Sequence, residues 1–251
     1  PNLNKFEGFA NATYGNYDLF NIQGGVSAPL VEGVLGLRLS GAYRNQDGFQ
    51  KSVVPGVTSN DRDRYILRGQ LYFEPNADLN VRIIADYQKS DEKCCDAVII
   101  QDTSLVAAGA FMANGLPANG GVSASGRPAL KSRTTNGQQF LDRIKQYGIS
   151  GEINYSLGNA NVVSITGYRD SRASSQQESD FVSLNVFSTG KGSTANPMTS
   201  KSLTRIRTFS QEFRISGDTL GDRLQYLFGA YYNRERINER ATLTLGPDYQ
   251  K

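Results

Sequence analysis

The segment YGISGEINYSLGNANVVSITGYR, from Tyr147 to Arg169, decides how the rest of the chain is read. Tyr147, Ile149, Gly151, Ile153, Tyr155 and Leu157 alternate with Gly148, Ser150, Glu152, Asn154 and Ser156. A period of two puts the first set on one face of a β-strand and the second on the other. Gly158, Asn159, Ala160 and Asn161 follow, and Gly and Asn tolerate positive φ, so the chain turns tightly and Val162 to Arg169 runs back. The unit is an amphipathic hairpin, which suits a soluble sandwich and a membrane barrel equally well.

The same rhythm runs through the whole chain. Phe6 to Gly15, Asn21 to Leu30, Val34 to Asn45, Tyr65 to Glu74 and Asn80 to Lys89 read as strands before the hairpin, and Thr208 to Gly217 and Leu224 to Arg236 after it. That makes nine strands. Connections after Leu30, Glu74, Leu157 and Gly217 are short, and those after Asn45, Lys89 and Arg169 are long. Only the tight turn at Asn16 breaks the alternation. An up-and-down meander with short turns at one end and long loops at the other has two chemically different ends, as bacterial outer-membrane barrels do. Within the long segment 90–145, Thr103 to Met112 reads as a short helix.

Composition permits the barrel. The chain has 251 residues, and its mean hydropathy of −0.44 looks soluble. It contains no apolar run long enough for a membrane helix. A barrel strand escapes that test, because only alternate residues face lipid. Tyr14, Tyr43, Tyr65, Tyr87 and Tyr147 lie towards the long-loop end, and Phe73, Tyr155 and Tyr226 towards the short-turn end. The eight steps from Tyr147 to Tyr155 span about 26 Å, or about 20 Å along the membrane normal at a tilt near 40°. Arg38, Arg68, Arg82, Glu152, Glu212 and Arg214 alternate with the apolar set and would point into a polar lumen. Nine strands are too few for a wide lumen, so the barrel reading makes the chain a piece of a larger wall whose edges need further strands.

Several stretches resemble one family. PNLNKFEGFANATYGNYDLFNIQGGVSAPLVEGVLGLRLSGAYRNQDGF (1–49), RTFSQEFRISG (207–217) and LQYLFGAYYNRER (224–236) are similar to barrel strands of TonB-dependent receptors of the Gram-negative outer membrane, the first at the point where the plug ends and the barrel begins. The resemblance implies an all-β, antiparallel, up-and-down transmembrane barrel of about 22 strands, of which residues 1–251 are a partial segment with long outer loops and short periplasmic turns. It implies energised uptake of a scarce nutrient: a ferric siderophore, a cobalamin or a glycan. The implied partners are outer-membrane lipid and lipopolysaccharide, the plug of the same polypeptide, an inner-membrane TonB-type protein and a small-molecule ligand. No residue of a plug or a partner-binding box can be mapped onto these positions. A passive porin-like channel and a soluble β-sandwich binding module are the alternatives.

Few residues offer chemistry. The absence of His removes the common hydrolytic triads, so no catalytic residue and no enzyme activity is expected. No cofactor or metal site is expected either: Asp91, Glu92 and Asp96 lack the order of a calcium loop, and Gly24-Gly25 and Gly120-Gly121 are not phosphate loops. A net charge of +3 gives no reason to invoke nucleic acid. Cys94 and Cys95 are adjacent, so they are two loop thiols or a strained bridge that stiffens a loop tip. Recognition falls to loops on a rigid scaffold. Arg127, Lys131, Arg133, Arg143 and Lys145 make the second half of the segment 91–145 basic, and they are the candidates for holding an anionic ligand such as a ferric chelate.

Overall fold

A computed structural model describes residues 1–100, 126–135, 137, 140–179, 199–219 and 223–244. Nine antiparallel strands form one sheet in sequence order: β1 (Glu7–Gly15), β2 (Leu19–Val31), β3 (Leu35–Gln46), β6 (Arg62–Asn76), β7 (Leu79–Glu92), β9 (Phe140–Ser156), β10 (Ala160–Glu178), β11 (Thr199–Thr219) and β12 (Leu224–Thr244). The nine strands expected from the alternation are all present, but most reach further towards the long-loop end. β9 begins at Phe140 rather than Tyr147, and β12 continues to Thr244. Three short strands, β4 (Gln50–Ser52), β5 (Thr58–Ser59) and β8 (Thr134–Thr135), form a separate small sheet at that end, beside a helix, α1 (Gly126–Ser132). The helix expected at Thr103 to Met112 lies outside the described residues.

Register separates the two faces. On one face every strand carries a single aromatic at a matching level: Tyr14, Phe20, Tyr43, Tyr65, Tyr87, Tyr147, Tyr168, Phe209 and Tyr232. Tyr14 faces Phe20, Tyr43 faces Tyr65, Tyr87 faces Tyr147 and Tyr168 faces Phe209 directly across the ladder. The intervening steps are diagonals of two residues, always towards the short-turn end: Phe20 pairs with Asn45, Tyr65 with Lys89, Tyr147 with Asp170 and Phe209 with Arg234. Several neighbours touch ring to ring, with centroids 5.8 Å apart for Tyr65 and Tyr87, 6.5 Å for Tyr147 and Tyr168, and 6.3 Å for Phe209 and Tyr232. A level belt therefore slips about one residue per strand. With about 3.3 Å per residue and about 4.8 Å between strands, the strands tilt by about 35°, which falls in the range of membrane barrels.

Below this girdle the same face is uncharged. Gly8, Ala10 and Ala12 lead into Ile22, Val26, Leu37, Leu39, Leu67, Leu71, Ile83, Ala85, Ile149 and Ile153 on successive strands. Large apolar side chains here stand open to the surroundings, including Leu67 at 56 % and Ile149 at 55 %. They are not sealed between two sheets, and the sandwich alternative loses its core: the only buried apolar residues among those described, Ala129 and Phe140, lie at the long-loop end. Three polar residues interrupt the band, and they satisfy one another. Thr166 Oγ1 donates to Gln211 Oε1 at 2.6 Å, and Gln211 Nε2 donates to Ser164 Oγ at 3.0 Å. The band is thus suited to hydrocarbon, where an unpaired polar group costs several kcal/mol.

Ile83 and Ile84 give a direct test, because adjacent residues take opposite faces. Ile83→Lys sits in the middle of the band and is expected to destabilise the protein in lipid vesicles by about 2–4 kcal/mol. Ile84→Lys, opposite Gln70 and Ser150 on the polar face, should cost little. Urea titration of both variants reads the difference, and equal costs would contradict the assignment of faces.

Candidate functional site

The face opposite the apolar band carries a wall of ion pairs and amides. Arg169 on β10 reaches across β9 to Asp86 on β7, donating to both carboxylate oxygens at 2.9 and 3.1 Å. It can do so because Gly148 lies between them in register. A Cβ on Gly148 would sit 2.9 Å from the Arg169 Nη2. Towards the short turns, Asn154 donates to Asn80 and to Glu152, both at 2.9 Å. Arg82 stacks over the Tyr72 ring at 5.8 Å, and Arg214 pairs with Glu212 at 2.8 Å. At the long-loop end Glu92 is buried, and Arg64 grips it through Nε and Nη2, both at 2.6 Å, with Arg62 at 3.5 Å. Residues Pro1 to Leu3 lie on this polar face as well: Asn2 N donates to Ser27 Oγ at 2.7 Å, and Gly33 N donates to Leu3 O at 2.8 Å. Gly36 leaves room for them, since a Cβ there would meet Asn2 and Leu3 at 3.0 Å.

Above the wall the loops build a small platform. β4 pairs antiparallel with β5 and parallel with β8, tying the segment 47–61 to the residues before β9. Asp96 holds the centre. It accepts from Ser59 Oγ at 3.2 Å and from Thr135 Oγ1, and all three side chains are buried. Cys94 and Cys95, just before it, are joined as a disulfide. A cavity of about 300 Å³ lies against this platform, lined by Val57, Lys93, Phe140 and Leu141 among others.

The five cations expected to bind a ligand separate into two groups. Arg127 and Lys131 stand exposed on α1, four residues apart and so on one side of it. Arg133 follows, and its guanidinium lies over the rings of Phe49 at 5.4 Å and Tyr17 at 5.9 Å while donating to the Tyr17 hydroxyl at 2.8 Å. Tyr17 and Asp18 both have positive φ (61° and 49°) at the tip of the first hairpin. That strained turn is held by Asp47 N donating to Tyr17 O at 2.8 Å and by the Arg133 clamp. Arg143 and Lys145, by contrast, belong to β9 rather than to a loop, and they project on the same face as the aromatic girdle. Arg143 is paired with Asp91 at 2.8 Å, and Lys145 lies 5.8 Å above the Tyr87 ring. The three loop acids are likewise dispersed: Asp91 faces Arg143, Glu92 faces Arg64, and Asp96 faces two hydroxyls.

Sequence comparisons identify no relative: no family model matches, and no curated protein matches. Structure comparison finds solved structures of similar fold. The chain superposes on the ferric yersiniabactin uptake receptor FyuA of Yersinia pestis with a TM-score of 0.68 and 12 % identity, covering 96 % of this chain and 32 % of that one. The siderophore receptor PiuA of Acinetobacter baumannii gives a TM-score of 0.66 and 13 % identity over 95 % of this chain and 32 % of the receptor. The ferripyoverdine receptor of the Pseudomonas aeruginosa outer membrane, bound to ferripyoverdine, gives 0.65 and 15 % over 95 % and 29 %. These structural neighbours are receptors for siderophores or their ferric complexes. The chain has the fold of a stretch of outer-membrane barrel wall, and it spans about a third of the length of the receptors it matches.

Burial raises the Asp96 carboxyl above its usual range, and the donors Thr135, Ala97 N and Ser59 oppose that only in part. A carboxyl that holds its proton more tightly when folded stabilises the platform below its unfolded value of about 3.9, and this contribution is lost as pH rises through the folded value. Amide protection in β4, β5 and β8, corrected for intrinsic exchange, should therefore fall as pH rises from about 4 towards neutrality. Asp96→Asn keeps an acceptor for both hydroxyls and should flatten the profile; an unchanged profile would contradict the assignment.

Proposed function

We propose that the chain forms part of the barrel wall of an outer-membrane receptor that imports a ferric siderophore, or a nutrient of similar scarcity such as a cobalamin or a glycan, with energy supplied from the inner membrane. The observation that carries this reading is the division of one sheet into two surfaces. One is an uncharged band under a continuous aromatic girdle. The other is a polar wall of ion pairs and cross-strand amide contacts. The first fits lipid, including lipopolysaccharide on its outer side. The second fits a lumen occupied by a plug of the same polypeptide, and the course of Pro1 to Leu3 over Ser27 and Gly36 is consistent with a chain approaching the wall from within. Among the described residues the outermost strands, β1 and β12, have neighbours on one side only, and in a membrane both edges require further strands. A ring of about 22 strands provides them. The long-loop end faces outward, and α1 presents the capture cations.

The test uses the full-length polypeptide in an outer-membrane background starved of iron. Accumulation of radiolabelled ferric chelates should depend on it and should stop when the inner-membrane energy-transducing protein is deleted. Leakage that persists without that protein would replace the receptor by a passive channel. Arg127→Gln combined with Lys131→Gln should weaken binding of an anionic ferric chelate about tenfold while leaving heat-modifiable mobility on gels unchanged. Unchanged binding would remove α1 from the capture surface.

A further inference from the structure

Cys94 and Cys95 lie in a segment that meets the platform at three points. Lys93 is tied to the residues after β5: Asn60 N donates to Lys93 O at 2.6 Å, and Lys93 N donates to Asp61 Oδ1 at 2.5 Å. Asp96 is tied to β5 through Ser59 Oγ and to β8 through Thr135 Oγ1. Ile99 O accepts from Gly126 N at 2.8 Å, at the first residue of α1. The disulfide occupies the interval between the first tie and the second. From Asp96 the order passes along β8. Val53 N donates to Thr135 O at 2.9 Å and Lys51 N to Arg133 O at 3.1 Å, and Arg133 in turn holds Tyr17 and Phe49. α1 ends at Ser132, the residue before Arg133.

A disulfide stabilises a fold mainly by closing loops of the unfolded chain, and its contribution grows with the length of the loop. A bridge between adjacent residues ties no distant segments together, so it adds little to global stability. Its effect is local. It closes a small ring through the peptide that joins the two residues, and it removes the rotations by which Lys93 and Asp96 could turn relative to one another. With the ring open those rotations return, and the two ties on either side no longer enforce each other. The bridge is also within reach of solutes. Cys95 is exposed and Cys94 is half-buried, and exposed disulfides are the ones that exchange readily with thiols. Lys93, adjacent in the chain and itself exposed, favours the thiolate that such exchange releases.

We propose that Cys94–Cys95 is a site of exchange with low-molecular-weight thiols, and that its oxidation state sets whether the platform holds α1 in place. A thiolate attacks the Cys95 sulfur, the bond between the two protein sulfurs breaks, and Cys94 leaves as a thiolate that takes a proton from water. Cys95 then carries a mixed disulfide. A second thiolate attacks the outer sulfur of that adduct, the external disulfide departs, and the Cys95 thiolate is protonated in turn. Two thiols have given up two electrons, and the protein disulfide has gained them. An external disulfide runs the same steps backwards and closes the ring. Opening releases Asp96 from Ser59 and Thr135, so β8 loses its tether, and Arg133 and α1 lose theirs with it. The effect on ligand capture rests on the reading of α1 as part of the capture surface, whereas the exchange site does not.

The experiment uses the full-length polypeptide in neutral detergent, with reduced glutathione as the probe and oxidised glutathione to reverse it. Peptide mass mapping after acid quenching should find Cys94 and Cys95 joined in the isolated protein, and a glutathione adduct on Cys95 at intermediate ratios of the two forms. On reduction, hydrogen exchange should rise about tenfold at the amides of Lys51, Val53 and Asn60 and across α1. It should stay unchanged in β9, β10 and β11 below the girdle, and the rise should disappear on reoxidation. Cys94→Ser combined with Cys95→Ser should exchange at the reduced level and ignore glutathione. Reduction of the already assembled protein keeps the test decisive where that variant does not assemble. Two free thiols in the isolated protein, a bridge that glutathione does not open, or unchanged platform exchange after opening would each overturn the proposal. Faster exchange with unchanged binding of a ferric chelate would leave the exchange site standing and remove α1 from the capture surface.

Discussion

Hydrocarbon offers no hydrogen-bond partner, so every peptide group at its depth must find one on the next strand. That constraint organises this wall. It requires each strand from β1 to β12 to pair with the next, and it forbids charge on the face those ladders turn to lipid. The three polar side chains inside the band, Ser164, Thr166 and Gln211, obey the same rule by bonding to one another. The opposite face is released from it and holds Asp86 with Arg169 and Glu212 with Arg214, arranged for contact with water and charge.

The part of the fold written most clearly in the sequence is the part that crosses the band. Tyr147 to Leu157 alternates apolar with polar because lipid and lumen demand opposite residues, and a period of two is then visible by eye. Above the girdle both faces are polar and the signal vanishes. Leu141, Arg143, Lys145 and Tyr147 still alternate outward on β9, but Arg and Lys in a nominally lipid-facing row read as loop. The small sheet of β4, β5 and β8 was illegible for another reason: its strands are two or three residues long, and its partners lie far apart in the chain.

The candidate site was less legible than the fold. Arg127, Lys131 and Arg133 were visible as a basic run, but only the structure shows that Arg133 spends its charge on Tyr17 and Phe49. Nothing in the sequence distinguishes Gly148 from other strand glycines, yet its missing side chain lets Arg169 meet Asp86 two strands away. Glu92 with Arg64, and Asp170 with Arg205, became recognisable only when register placed them in adjacent strands. Extending the parity of each strand into its polar flank would have found both pairs, since the same odd–even assignment continues without interruption.

Measured from the girdle, the strands stop at unequal heights. β1 and β2 end one residue above Tyr14 and Phe20, and β3 and β6 reach Gln46 and Arg62, whereas β10 runs on from Tyr168 to Glu178 and β12 from Tyr232 to Thr244. At about 3.3 Å per residue and the observed slant, the ten residues of β10 stand about 27 Å proud of the aromatics. The rim is therefore a ramp, lowest at the first hairpin and highest at the last. The segment carrying α1 leans across to the low side, where Arg133 fastens it to the tip of that hairpin. A bulky solute drifting towards the mouth meets a parapet on one flank and, on the other, a doorstep with α1 standing over it.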